Sequence, residues 1–410
     1  MLKQNRRSVL GAIGAAGVAA VAGCVGDSGG DGRAIEVGML AAETGGLSSV
    51  GVPLRDVSRL PEMQVNDADN DFEVGMQIED TQTDPQAAIA GAEALADAGY
   101  PAVNGPVASK NTIQVTEQVY RPRQIVGCSF GSTSPALTTL EDDGFVFRTI
   151  SSDAFQGRAL AEVAQTEVDA NEMSVIYIND AYGVALENTF VDEFESNGGT
   201  IQESIAIQTE QQSYASQLEQ AMAGDPDSLF VVAFPASATT LLRDFYSNYG
   251  DDTPIVGPDS LRDPELPGSV GQDLTNVVGV SSVAAGEGQD FVADMYQEEF
   301  GEETPPFFSY AYDATAVLVL ANAAAGENEG PAVRDQMQPI ANPGGEVITP
   351  ETLVDGVEMA TDGEEIQYQG ASSDIVFDEN GDMSSVNYAV YQYVEGGEIE
   401  ETDQITFEDN

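Results

Sequence analysis

The chain has 410 residues, 70 of them Asp or Glu against 14 Lys or Arg, no histidine, and a formal net charge of −56. Such a surface repels phosphate, which excludes a nucleic-acid partner, and the missing histidine removes Ser-His-Asp, Cys-His and His-liganded metal chemistry. Because 42% of the residues are hydrophobic and recur in regular periods, the chain has the means to build a core despite its charge.

The first element in chain order reads as an address. Lys3, Arg6 and Arg7 precede an apolar run from Val9 to Ala22, which stops at Gly23-Cys24. Basic start, apolar stretch and small-residue stop follow the order of an export signal. The Arg pair before Val-Leu resembles the twin-arginine type, and "VAGC" resembles a lipobox in which Cys24 becomes the first mature residue and carries lipid. The competing reading, a retained membrane helix, needs roughly 20 apolar residues, and this run is shorter and half Gly and Ala. Residues 1–23 are therefore expected to be a signal and 24–33 a flexible, Gly/Ser/Asp-rich tether. Beyond Cys24 only Cys128 remains, so no internal disulfide holds the fold. Cys128 sits inside an apolar strand pattern, as a small buried hydrophobe rather than a nucleophile.

The length after the tether exceeds one ordinary core and predicts two domains. Strand-type runs fall at 35–40, 72–80, 101–105 and 124–130. Between them lie helical patterns, among them one opened by Asp84 and Pro85 and stopped by Gly99. The style restarts with strands at 174–180, 200–207, 228–234 and 253–259, helices beginning near Gly183 and Ser213, then "NVVGVSSV" and helices near 291–300 and 310–325. Strand-helix alternation predicts parallel sheets covered on both faces, and two runs of it predict two doubly wound α/β lobes. "DENGD" at 378–382 has some flavour of a Ca²⁺ loop but lacks the ligand spacing, so a tight turn between strands is expected.

Lys3 and Lys110 are the only lysines in the sequence. That loss, with abundant Asp and Glu, resembles the proteins of salt-loving archaea. A screening length of about 3 Å at 1 M salt silences self-repulsion that about 10 Å at 0.1 M leaves active, so a requirement for molar salt is expected.

In doubly wound sheets, ligands sit at the carboxyl ends of strands. The loops there are "PVASKN" after 101–105 and "GSTSPALT" after 124–130. Their hydroxyl residues at helix starts offer OH and backbone N–H groups to a carboxylate; ordinary capping by Ser109 and Ser134 is the alternative. "NDAYG" and "GPDS" place an Asp at a strand end, suited to an ammonium group or to a solvated turn. No P-loop or Gly-x-Gly-x-x-Gly appears, no cofactor is implied, and no carboxylate pair stands out for catalysis.

These loops in this order resemble the type I solute-binding proteins of ABC importers, specifically the branched-chain amino-acid and amide-binding family. The likeness runs through "VGMLAAETGGLSSVG", "EDTQTDPQAAIAGAEALA", "FGSTSPALT", "FRTISSDAFQGRALA", "NDAYGVAL", "VVAFPASATTLLRDF", "VGPDS", "SYAYDAT" and "IVFDENGDM". It implies a non-enzymatic protein of two lobes, 34–150 with 283–369 and 151–282 with 370–410, joined by three crossovers. It also implies an extracytoplasmic, lipid-anchored location and a membrane permease as partner. Its ligand positions fall on Ser109, Ser132 and Thr133 for the α-carboxylate, Tyr182 as a cover, Asp259 for the α-ammonium, Phe234 and Tyr310 lining the cleft, and Thr44 and Gly45 in its first loop. Lys110 stands where small hydroxyl residues are usual, either to meet an acidic ligand group or as a surface Lys, and Phe234 lacks a tyrosine hydroxyl. The resemblance implies capture of a branched-chain or related amino acid. An amide, urea-like or aromatic-acid ligand is the alternative, and an anchored carboxylate-dependent hydrolase a more distant one.

Overall fold

The computed structural model describes residues 33–408; the expected signal, Cys24 and the tether up to residue 32 lie outside the described residues. A first sheet contains β1 (Ala34–Ala41), β2 (Glu73–Asp80), β3 (Ala102–Asn104), β4 (Val126–Ser129) and β5 (Val146–Arg148). Its order is β2-β1-β3-β4-β5, and every pairing in it is parallel. The order reverses between β1 and β3, so the loops after these two strands flank a crevice.

A second sheet begins with β6 (Glu172–Ile178), β7 (Thr200–Ile207), β8 (Ser228–Val232), β9 (Ile255–Gly257) and β10 (Val277–Ser282), again parallel. A two-stranded sheet, β11 (Glu346–Ile348) with β12 (Ile366–Tyr368), follows. The chain then returns to the second sheet with β13 (Ser385–Tyr393) and β14 (Ile399–Glu408), giving the order β14-β13-β10-β9-β8-β6-β7. β13 runs antiparallel to β10 and β14 antiparallel to β13. Here the order reverses between β6 and β8, so their carboxyl ends flank a second crevice.

The helices between these strands start and stop as their sequences dictate. Helix Pro85–Ala98 is capped by Asp84, whose carboxylate accepts from the N–H groups of Gln86 and Ala87, and it ends at Gly99 in the left-handed region, φ 94°. The expected strands lie within two residues of those found. β5, three residues with an arginine at its end, the two-stranded sheet, and β13 and β14 are additions.

Each large sheet has its own core. β1–β5 pack with helix Phe308–Ala325, which is buried from Ser309 to Ala323. β6–β10 pack with β13 and the helices between them. The chain passes between the cores after β5, after β10 and before β13. The third passage was expected at 370 and lies instead at 384–385, because Ala371, Ile375, Phe377 and Met383 pack in the first core. Phe377 lies 5.1 Å from Phe147 between ring centres, and Asp382 pairs with buried Arg148 through two bonds of 2.6 and 2.7 Å. The 378–382 segment is a turn, closed by the Asp378 carboxylate on the N–H groups of Asn380 and Asp382. The passages are bonded to one another: Ser151 and Ser282 share a hydroxyl bond of 3.0 Å, and the Val283 N–H donates to the Asn387 carbonyl.

Candidate ligand-binding cleft

The first half contributes the loops after β3 and β4, and hydroxyl groups fix them to each other. Ser129 Oγ donates to the Pro106 carbonyl at 2.6 Å and accepts the Ser132 N–H at 3.0 Å. Ser132 Oγ lies among the Pro106 and Val107 carbonyls and Thr112 Oγ1, fully buried. Beneath them the Arg148 guanidinium donates to the Ser132 and Ser134 carbonyls. Ser109 Oγ accepts the Ser134 N–H at 3.2 Å, which leaves its own proton free for the cavity. Thr133 donates its hydroxyl to Asp153 Oδ2 at 2.9 Å.

The second half contributes the loops after β6, β8 and β9. Asp180 caps helix Ala181–Ser196, one carboxylate oxygen accepting from Tyr182 and Gly183. Gly183 is required there, since a Cβ would lie 2.1 Å from the Ile178 carbonyl oxygen. Tyr182 stacks on Phe234 at 5.7 Å with the rings nearly parallel, and its hydroxyl meets Ser260 at 3.2 Å. Asp259, half-buried, accepts the Ser282 N–H at 2.8 Å and the Ser282 hydroxyl at 3.3 Å.

Between the halves lies a cavity of about 760 Å³ of empty space, its open mouth included. Leu47, Val50, Leu54, Phe130 and Ile150 line it from the first half, Tyr182 and Phe234 from the second. Its polar lining includes Ser109 and Thr133 on one side and Asp259, Ser260, Arg262 and Asp263 on the other. The halves also touch directly. Ser134 Oγ donates to the Ala181 carbonyl at 2.9 Å, and Lys110 Nζ is 3.8 Å from Asp180 Oδ2.

The acids dominate the electrostatics. Burial pushes Asp259 up to about 6, against the pull of the Ser282 N–H and the Arg262 charge. Asp153 is fully buried, and desolvation pushes it up to about 8; the Thr133 hydroxyl opposes this and the charge of Asp259 adds to it. Asp153 Oδ1 and Gln156 Oε1 are buried without a partner among the described residues. A buried carboxylate with one donor is costly when charged, and Asp153 stands in that position behind Thr133 of the cavity lining.

Of the residues read from sequence, Ser109, Thr133, Tyr182, Phe234 and Asp259 meet at this cavity. Five do not line it. Ser132 is spent on tying loops together. Thr44 donates to Asp80 at 2.6 Å, and Gly45 turns the same loop at φ 85°. Lys110 sits at the rim, 6.0 Å over the Phe234 ring and paired with Asp180. Tyr310 faces a neighbouring cavity, which shares Arg262 and Phe307 with this one. Asp153, Arg262 and Asp263 were missed; Asp153 follows the first passage after β5, so the strand-end rule finds it once β5 is recognised.

The sequence profile of the family described as "Periplasmic binding protein" matches residues 34–396. Among curated proteins, the chain is similar to the chemotactic signal transduction system substrate-binding protein BasB of Halobacterium salinarum, 27% identical over 84% of this chain and 83% of that one. Among solved structures it is similar to the leucine-binding protein LivK of Thermotoga maritima, with a TM-score of 0.76, 22% identity and coverage of 90% and 98% of the two chains. It is also similar to LivJ of Streptococcus pneumoniae in complex with isoleucine, with a TM-score of 0.75, 17% identity and coverage of 92% and 100%. These structures share the type I periplasmic-binding-protein fold with this chain.

Proposed function

Since the chain belongs to the periplasmic binding protein family, whose members bind rather than transform their ligands, we propose that it captures a branched-chain or related amino acid between two closing lobes and hands it to a membrane permease. The lobes would be 34–150 with 283–383, and 151–282 with 384–408. The observation that carries the reading is the asymmetry of the cavity: Ser109 and Thr133 on one side, apolar walls, and the Asp259 carboxylate opposite. A zwitterion with an apolar side chain complements all three. Its carboxylate would meet Ser109 and Thr133, its ammonium Asp259, and its side chain Leu47, Leu54 and Phe130. Charge-assisted hydrogen bonds are worth roughly 1.5–3 kcal/mol each, so three or four supply much of the roughly 8 kcal/mol of a micromolar affinity. Because each lobe holds part of the ligand, binding shifts the hinge equilibrium toward closure.

An aromatic or other amine-free acid would bring a negative charge beside Asp259 with no ammonium to offset it, and Arg262, which also lines the cavity, is paired with Glu401 at 2.5 Å. That argues against the alternative ligand class. The likeness to BasB along most of the chain favours a second reading of what happens after capture, hand-over to a chemotactic transducer rather than a permease. Export by the twin-arginine route, anchoring through lipid at Cys24 and action in molar salt complete the proposal. The test is calorimetry and thermal shift in molar salt with leucine, isoleucine, valine, benzoate and simple amides. Binding of the three amino acids alone is the expected result, since a ligand joining the lobes raises the melting point by mass action. Binding of benzoate or amides without amino acids would overturn it. Uptake and swarming of a deletion strain then separate import from signalling.

A further inference from the structure

The loop carrying Asp259 is held from below by two tyrosines that belong to a distant part of the chain. Tyr391 and Tyr393 lie on β13, both buried. The Tyr391 hydroxyl donates to the Pro258 carbonyl at 3.0 Å, with the Gly257 carbonyl at 3.4 Å. The Tyr393 hydroxyl donates to the Leu261 carbonyl at 2.6 Å, has the Asp263 carbonyl at 2.9 Å, and accepts the Asp263 N–H at 3.0 Å. Together they grip the backbone on both flanks of Asp259 and through Asp263. The loop has little regular structure of its own, a single turn over Asp259–Leu261, so these bonds set its backbone, while Ser282, Ser281 and Gln156 bond the Asp259 carboxylate.

The neighbouring strand is built to let the grip form. Gly279 on β10 is the register partner of Tyr391. A Cβ there would lie 2.0 Å from the Gly257 carbonyl oxygen and 2.6 Å from the Tyr391 hydroxyl. Only glycine lets the ring pass beneath β9. A bulge between Val390 and Tyr391 shifts the β13–β14 register at this place, and such bulges re-aim side chains.

We propose that Tyr391 and Tyr393 are positioning residues for ligand recognition, fixing Asp259 where it meets the ammonium of the ligand; this rests on the amino-acid reading above. β13 begins directly after the third passage between the halves, so the Asp259 side of the cleft rests on a strand that the chain adds only after completing the first core.

The test uses the full chain in molar salt with Tyr391→Phe, Tyr393→Phe and their combination. Gly279→Ala is a second route to the same displacement, by overpacking instead of lost bonds. Two readouts are taken: hydrogen exchange of the 259–263 amides without ligand, and the Kd of leucine against that of 4-methylpentanoate, the same skeleton without its amine. Losing hydrogen bonds of this kind predicts leucine binding about tenfold weaker, 4-methylpentanoate binding little changed, and faster exchange across the loop. Unchanged exchange overturns the grip itself. Faster exchange with equal weakening of both ligands overturns the positioning role and leaves only a structural one. If the unmodified protein binds leucine no better than its amine-free analogue, the ammonium reading fails and takes the role with it, while the exchange data still report on the grip.

Discussion

Asp313 and Asp153 are both fully buried carboxylates, one in the core helix Phe308–Ala325 of the first half and one opening helix Asp153–Thr166 against the second. Their surroundings differ in one respect. Asp313 accepts four hydrogen bonds, from the Tyr368 hydroxyl, the Ala371 and Ser372 N–H groups and the Ser372 hydroxyl, at 2.5–2.9 Å. Asp153 accepts one, from Thr133, and its other oxygen has no partner among the described residues. Burial raises both, Asp313 to about 6 and Asp153 to about 8. Four donors offset more of the desolvation than one. The fold satisfies the first acid, which fastens the 368–372 segment to its helix; it leaves the second short of donors behind Thr133 of the cleft lining.

That contrast predicts opposite responses to removal. Asp313→Ala strands four buried donors and should cost about 3–5 kcal/mol of stability, read as a lower urea midpoint in molar salt. A loss under about 1 kcal/mol would erase the distinction between the two acids. Asp259→Ala, on the site side, should weaken leucine binding about 100-fold, or about 2.7 kcal/mol, in calorimetry. Its effect on unfolding should be smaller than that of Asp313→Ala, because the acid is only half-buried and its closest hydrogen bonds come from the N–H and hydroxyl of Ser282.

Asp153→Asn tests the unsatisfied acid itself. Its folded value lies above the ordinary 3.8, so its contribution to stability is fully present below about pH 3.8 and is lost as pH rises through about 8. The variant should therefore match the parent at pH 4 and exceed it at pH 8, by about 1–3 kcal/mol, in paired unfolding curves. The parent should also release protons on binding a cationic ligand near pH 7, seen as a binding enthalpy that varies with the ionisation enthalpy of the buffer. Equal stability differences at both pH values would mean that Asp153 carries no unpaired charge.

Much of this was legible in the sequence, and the remainder has a physical reason. Strand-helix alternation gave nine strands within two residues, since buried parallel strands and capped helices are local patterns. The strand-end rule pointed to the loops that carry Thr133, Tyr182 and Asp259, and the family resemblance singled out those residues within them. Asp153 escaped because β5 is three residues long and ends in a buried arginine, which no hydrophobic period announces. The third passage escaped for a related reason: 371–383 has no regular structure, and it joins the first core through Asp313 and Arg148, far away in sequence. Ser132 reads like a ligand residue because a hydroxyl that ties two loops together has the same local sequence as one that faces a cavity.

Lys110 gives the smallest expected effect. It is 23% exposed and 3.8 Å from Asp180, across the cleft rim, and Asp180 Oδ2 has no hydrogen-bond partner among the described residues. The pair joins the halves only when they are together, so it favours the closed form. Partly exposed ion pairs are worth at most about 1 kcal/mol, which limits Lys110→Met to about a fivefold loss of affinity, smaller still at molar salt. Asp180→Asn is the matched variant, since asparagine keeps the helix cap and removes only the charge. Equal losses in the two variants, with no further loss in the double variant, assign the effect to the pair. If Lys110→Met instead removed binding of an acidic ligand and left leucine untouched, Lys110 would serve the ligand directly, and the rim contact would be incidental to closure.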